Sequence, residues 1–189
     1  MGAGVGKNNK AFNVAVIGLD NSGKTTILKR LNRTDPTRDE LTAPTIGLKV
    51  RKLRVNSLNL TCFDMSGQGR YRNLWQHYYR DCDGLIFVID SSDRLRLPVA
   101  KEELELALNS DDLRDRRVPL LLFANKSDLK DSIPAQKCGA MLGFNKTVDV
   151  NKPWWICSSN GLTGEGLEEG FEWLTNQIKS GLNRKSSIR

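Results

Sequence analysis

The chain has 189 residues, 39% hydrophobic and 27% charged, which is ordinary for a soluble globular protein and enough for one α/β domain with a proper core. No apolar run approaches the ~18 residues of a membrane span, no apolar stretch at the N-terminus marks a secretory signal, and the single histidine, His77, argues against a His-based zinc site or a Ser-His-Asp triad. Net charge is +7, but the basic residues are scattered and lack the aromatic interleaving of a nucleic-acid module. They read as solvated faces, with an anionic membrane or an acidic protein as the alternative partner, and no nucleic acid is expected. The four cysteines, Cys62, Cys82, Cys138 and Cys157, include no C-x-x-C pair. Cys62 and Cys157 fall in or beside apolar runs, as small core residues do, and a reduced, cytosolic compartment fits.

Residues 1–10 are small, polar and Gly-rich and read as a flexible segment. Gly6 stands where an acylation motif on Gly2 needs Ser or Thr. Residues 12–17 read as a buried strand and 24–32 as a helix. Between them runs Gly-Leu-Asp-Asn-Ser-Gly-Lys-Thr, residues 18–25, in the pattern G-x-x-x-x-G-K-[ST]. A polar stretch, 32–40, is broken by Asp35-Pro36, and Pro44-Thr45-Ile46-Gly47 closes the loop. Residues 48–55 and 58–64 read as strands. The two-residue link, Asn56-Ser57, makes them an antiparallel hairpin.

Residues 70–79, rich in Arg, Tyr and Trp, read as helical. The continuous apolar runs 84–90 and 118–124 suggest strands buried on both faces. The second ends in Asn125-Lys126-Ser127-Asp128. Helices are expected over 99–108, with Leu104, Ala107 and Leu108 on one side, over 133–142, and over 166–178, with Leu167, Phe171, Leu174 and Ile178 at i, i+4, i+7 and i+11. A last strand, 154–157, runs into Ser158-Ser159. The basic tail from 183 reads as frayed. The expected division is a flexible segment 1–10, one domain 11–180 and a tail 181–189. Strands alternating with helices predict an α/β fold: a mostly parallel six-stranded sheet with one antiparallel edge hairpin and helices on both faces.

Every motif falls at a strand end or in the loop after it, where such sheets bind ligands. In the first loop, successive backbone N–H groups can line a nest for phosphates, with the helix adding its positive end. Gly18 and Gly23 let the backbone approach closely. Asp20, Asn21, Ser22, Gly23, Lys24, Thr25 and Thr26 are the residues expected on the nucleotide, with Lys24 reaching the β- and γ-phosphates and the Thr25 hydroxyl on Mg²⁺. Asp64, at a strand end, can serve Mg²⁺ directly or through water. Gly67 can bring its N–H to the γ-phosphate. Gln68 can orient a water for in-line attack, which makes it the candidate catalytic residue. In Asn125-Lys126-Ser127-Asp128, the Asp128 carboxylate can accept two N–H bonds from guanine. Lys126 can pack along the base, and Asn125 can tie this loop to the phosphate loop. Ser158 and Ser159 are placed for a backbone N–H to the guanine O6.

Together these motifs resemble the small GTPases of the Ras superfamily over about residues 12–180. Gly18-Leu19-Asp20-Asn21-Ser22-Gly23-Lys24-Thr25-Thr26 and Pro44-Thr45-Ile46-Gly47 are similar to the Arf and Arf-like branch, as is a C-terminus without a prenylatable Cys. Residues 63–75 and 87–96 resemble an Arf-like subgroup whose GTP form recruits a coat, the BBSome, to membranes in ciliary traffic. Ser66, where most Arf proteins have Gly, is a departure that this subgroup shares.

The resemblance implies a P-loop fold and a GTP/GDP switch with slow Mg²⁺-dependent hydrolysis. Thr45 would be a second Mg²⁺ hydroxyl. Switch regions 39–48 and 64–80, and the hairpin 50–62 between them, would read the nucleotide. Leu48, in place of the usual Phe, would join Phe63 and Tyr78 on the effector face. No arginine finger is assigned in cis, so a GAP would supply one. An exchange factor, an effector such as a BBSome subunit, peripheral membrane contact, a monomeric state and a location in the cytoplasm and at the cilium or its base are further implications. Residues 1–10, with Val5 as their one substantial apolar side chain after Met1, cannot form the amphipathic N-terminal helix usual in the branch. That implies a shortened N-terminus or another mode of attachment. Other readings are a different Arf-like pathway in vesicle traffic, a nucleotide-locked scaffold, which Gln68 argues against, and a P-loop kinase or ATPase, which Asn125, Asp128 and Ser158-Ser159 argue against.

Overall fold

The computed structural model describes residues 10–37, 40–144 and 152–186. The expected N-terminal segment therefore lies outside the described residues except for Lys10. So do position 39, at the start of the first switch region, and the end of the tail, 187–189.

The strands are β1 (Ala11–Ile17), β2 (Leu48–Val55), β3 (Leu58–Met65), β4 (Gly84–Asp90), β5 (Leu120–Asn125) and β6 (Trp154–Ser158). They form one sheet in the order β2-β3-β1-β4-β5-β6. All neighbours pair in parallel except β2 and β3, which are antiparallel at the edge. The expected fold class is therefore the observed one. Asn56 and Ser57 both take positive φ, 46° and 65°. That turn has the right-handed twist of the strands it joins.

The helices are α1 (Lys24–Leu31), α2 (Leu97–Leu108), α3 (Ala135–Met141) and α4 (Leu167–Ser186). Successive side chains on a strand point to opposite faces, and each face finds its own helices. Val14, Val16, Ile86 and Val88 pack with Ile27 and Leu28 of α1 and with Leu167, Phe171, Leu174 and Ile178 of α4. Ala15, Ile17, Leu85, Phe87 and Ile89 pack with Leu97, Ala100 and Leu104 of α2 and with Ala135 and Cys138 of α3. Two buried layers thus clamp the sheet and hold its carboxyl edge rigid. Burying one such large side chain contributes about 1.5–3 kcal/mol.

Some boundaries differ from the sequence expectation. Helix α2 begins two residues early because Pro98 fits the first turn, where its missing N–H costs nothing. Helix α3 begins late, with Pro134 just outside it in an extended conformation. The helix expected over 70–79 is a 3₁₀ helix, Gly69–Tyr78. Trp75 Nε1 donates to Ser66 O at 2.9 Å and Arg72 Nε to Gly67 O at 2.8 Å, which pins this segment back onto the end of β3. Helix α4 continues through Asn183, where fraying was expected, to Ser186. Within it, Lys179 Nζ donates to Asn56 O at 2.9 Å across the hairpin turn.

Candidate nucleotide-binding site

The loop after β1 is shaped by two close approaches. Gly18 has φ +138°, and a Cβ there would stand 2.3 Å from Val88 O on β4. Gly23 has φ +97°, and its Cβ would meet Asn125 Nδ2 at 2.2 Å. Helix α1 then starts at Lys24 with no side-chain cap and no acidic residue in its first turn. Its orphan N–H groups and positive end are left for an anion.

Lys24 is buried. Its ammonium donates to Gly18 O at 2.8 Å and Leu19 O at 2.7 Å, so it lies against the loop expected to hold the β- and γ-phosphates. Burial pushes its pKa down to about 8, with Asp64 and Asp20 pulling the other way. A phosphate beside it would favour the charged form.

Thr25 and Thr45 meet directly, hydroxyl to hydroxyl, at 2.8 Å. Asp64 is fully buried next to this pair. Its Oδ2 accepts from Arg51 Nε at 3.2 Å, while Oδ1 is buried with no hydrogen-bond partner. Burial pushes the Asp64 pKa up, and the Thr25 hydroxyl and Arg51 oppose it. Two hydroxyls and an orphaned carboxylate oxygen are an all-oxygen set that suits a hard cation such as Mg²⁺. Among the described residues no group of three or more His, Cys, Asp or Glu side chains is placed to hold a metal ion by itself. The rest of the ion's shell would come from phosphate and water, as Mg²⁺ sites usually arrange.

A cleft of about 420 Å³ runs past Asp20, Lys24, Thr25, Thr45, Gly67 and Gln68. Gly67 is pressed against the phosphate loop, since a Cβ there would stand 2.2 Å from Asp20 N. Gln68 lines the cleft, but its Oε1 accepts from Arg70 Nε at 3.2 Å, which draws the amide toward Arg70. A larger hollow, about 790 Å³, lies between the hairpin and the start of α4, near Leu31, Lys52 and Glu168, and holds none of the expected site residues.

At the other end, Asn125 is buried and ties three loops together. Nδ2 donates to Ser22 O at 2.8 Å, and Oδ1 accepts from Gly161 N at 2.9 Å and Ser159 Oγ at 3.3 Å. Lys126 has φ 62°, and its Nζ donates to Asp90 Oδ2 at 2.6 Å. Burial works against the Asp90 carboxylate, but hydrogen bonds from Lys126 and Ser92 outweigh it and hold its pKa below the usual range. Asp128 is exposed beyond this anchor. Ser159 cannot offer its N–H to a base as expected, because that group donates to Ala124 O at 2.9 Å and extends the sheet pairing. Ser158 is the exposed member of the pair.

Sequence reasoning missed Gly161, Asp90, Arg96 and the Thr42-Ala43 wall of the cleft. Asn160-Gly161 carries a turn signal that marks the loop. No sequence signal marks the others. On the expected effector face, Phe63 and Tyr78 rings lie 4.9 Å apart, and both, like Leu48, pack partly buried against the core. Val50, 55% exposed, pairs with Phe63 across the hairpin, and Ile46, just before β2, is 70% exposed. No helix among the described residues is long and apolar enough to cross a membrane.

The model of the ADP-ribosylation factor family matches residues 2–178. Over 176 residues the chain is 51% identical to ADP-ribosylation factor-like protein 6 of Danio rerio, covering 93% of each. It is 40% identical over 182 residues to the protein of the same name from Caenorhabditis briggsae, covering 96% of this chain and 94% of that one. Among solved structures it is similar to the Arl6 BBS3 small GTPase from Trypanosoma brucei with bound nucleotide analogue GppNp. The TM-score is 0.82 at 37% identity, over 90% of this chain and 99% of that chain.

Proposed function

The chain belongs to the ADP-ribosylation factor family of small GTPases, which bind guanine nucleotide and hydrolyse GTP, and from that premise we propose a Mg²⁺-dependent switch whose parts can be assigned residue by residue. The amides of residues 20–26 and the Lys24 ammonium hold the phosphates. Thr25 and Thr45 hold Mg²⁺, with Asp64 acting through water. When bound, this ion neutralises charge developing on the phosphates. Gly67 offers its N–H to the γ-phosphate. Gln68 swings from Arg70 to orient the attacking water, a positioning role that leaves hydrolysis slow until a GAP supplies an arginine. Asp128 and Lys126 take the guanine, Ser158 supplies the N–H for its O6, and Asn125 with Ser159 braces the loops behind it.

The observation that carries this reading is one cleft lined together by residues from three separate segments: Lys24 and Thr25, Thr45, and Gly67 and Gln68. Thr45 and Gly67 sit on loops that a γ-phosphate in this cleft would touch, so GTP and GDP would differ in how those loops are held. The exposed Ile46 and Val50 beside Phe63 and Tyr78 would then form the surface that an effector reads. The likeness to ADP-ribosylation factor-like protein 6 supports a BBSome subunit as that effector. It also supports peripheral membrane contact and action at the cilium or its base, with an exchange factor completing the cycle. The base assignment is tested by Asp128→Asn, which replaces an acceptor with a donor. Preference should move from guanine toward xanthine nucleotide, and an unchanged guanine preference would sink the assignment.

A further inference from the structure

Asp20 places a carboxylate on the phosphate loop, in the cleft it shares with Thr45, Gly67 and Gln68. Its backbone is packed against Gly67, the residue assigned above to the γ-phosphate. A free carboxylate there would repel the γ-phosphate of a nucleoside triphosphate bound in this cleft, by an amount that its 45% exposed side chain leaves partly screened.

The carboxylate is not left free. Arg96 donates from Nη1 to Asp20 Oδ2 at 3.2 Å and from Nη2 to the Asp20 main-chain O at 3.3 Å. Arg96 is itself fixed by Asp93, which accepts from Nε at 2.6 Å. On the other side, Arg72 Nη2 lies 3.6 Å from Asp20 Oδ1. Arg72 is fixed by Gly67 O at 2.8 Å and by Glu103 of α2 at 2.8 Å. Each carboxylate oxygen thus faces a guanidinium, and each guanidinium is anchored at or beside α2. The arrangement spans three segments that the nucleotide touches or moves: the phosphate loop, the Gly67 turn and the 3₁₀ helix.

We infer that Arg96, with Arg72, is a positioning pair that sets the preference of the cleft for GTP over GDP, by holding the Asp20 carboxylate off the γ-phosphate position and neutralising it. The inference rests on the guanine-nucleotide reading above. GDP lacks the group that faces Asp20, so the pair acts on the triphosphate. Breaking an ion cluster that only braced the fold would weaken both nucleotides alike.

The test is the ratio of dissociation constants for fluorescent GDP and the non-hydrolysable GppNHp, in Mg²⁺, for the full chain and for Arg96→Gln, Asp20→Asn and the double variant. Arg96→Gln should weaken GppNHp relative to GDP by about fivefold or more, since it leaves the carboxylate with Arg72, 3.6 Å away, as its remaining cation. Asp20→Asn, nearly isosteric, should move the ratio the other way, and in its background Arg96→Gln should no longer favour GDP. Equal weakening of both nucleotides by Arg96→Gln would overturn the inference. So would a ratio unmoved by Asp20→Asn, which decides the matter even if the arginine variant folds poorly. An unmodified chain that bound neither nucleotide would overturn the guanine reading and this inference with it, whereas tight binding with unmoved ratios would overturn this inference alone.

Discussion

The Asn125 side chain donates to the Ser22 carbonyl across 2.8 Å, and so fastens the end of β5 to the phosphate loop. The same amide accepts from Gly161 N, beyond β6. One side chain therefore fixes the distance between the parts assigned to the phosphates and to the base. It also explains why Gly23 must be glycine, since any Cβ there would occupy the space of Asn125 Nδ2.

Replacing Asn125 by Ala should leave the Ser22 carbonyl and the Gly161 N–H without partners in a buried setting. The expected loss of stability is about 2–3 kcal/mol. Nucleotide release should accelerate by about tenfold or more, because each 1.4 kcal/mol lost from the bound state is a factor of ten. Thermal melting together with the release rate of a fluorescent GDP checks both. A variant with wild-type melting and release would show that the loops are held by other means.

Gln68 lies in the cleft, and its side-chain Oε1 accepts from Arg70. Gln68→Leu should therefore fold and bind GTP as the parent does, while hydrolysis falls by about tenfold to a hundredfold, the loss expected when a water is no longer positioned. Single-turnover phosphate release measures the fall. Hydrolysis at the parental rate would remove Gln68 from the chemistry.

The thiols carry a pH signature. Burial pushes Cys62, Cys82 and Cys157 up to about 12 and Cys138 to about 11, against an ordinary value of 9.0. Because these folded-state values lie above the unfolded one, burying neutral thiols stabilises the fold fully below pH 9. That contribution is lost as pH rises from 9 toward 12. Native protein at pH 8 should react with a thiol reagent only at the rate of its opening fluctuations, and melting temperature should decline above pH 9. Rapid labelling of a cysteine in the folded chain would contradict its burial.

Much of this was legible in the sequence because local pattern and tertiary role coincide. The unbroken apolar runs at 84–90 and 118–124 became central strands, and the two-residue link at Asn56-Ser57 became a tight hairpin turn. The phosphate loop declared itself through Gly18, Gly23, Lys24 and Thr25. What stayed hidden depended on partners distant in the chain. Nothing local says that Lys126 will be held by Asp90, or that Arg96 will reach Asp20. The Ser159 N–H was expected to serve a base because the sequence does not reveal that β5 continues to pair with it through Ala124. The 3₁₀ form of residues 69–78 stayed hidden for a different reason: Trp75 and Arg72 bond the nearby carbonyls of Ser66 and Gly67, and hydrophobic periodicity does not encode such side-chain closures.

The most direct test of the central claim is a titration of the nucleotide-stripped chain with fluorescent GDP and ADP in Mg²⁺. A site built to hydrogen-bond one base edge rejects the other strongly, so GDP should bind at about one per chain with a preference of roughly a hundredfold or more. ADP bound as tightly as GDP would contradict the account.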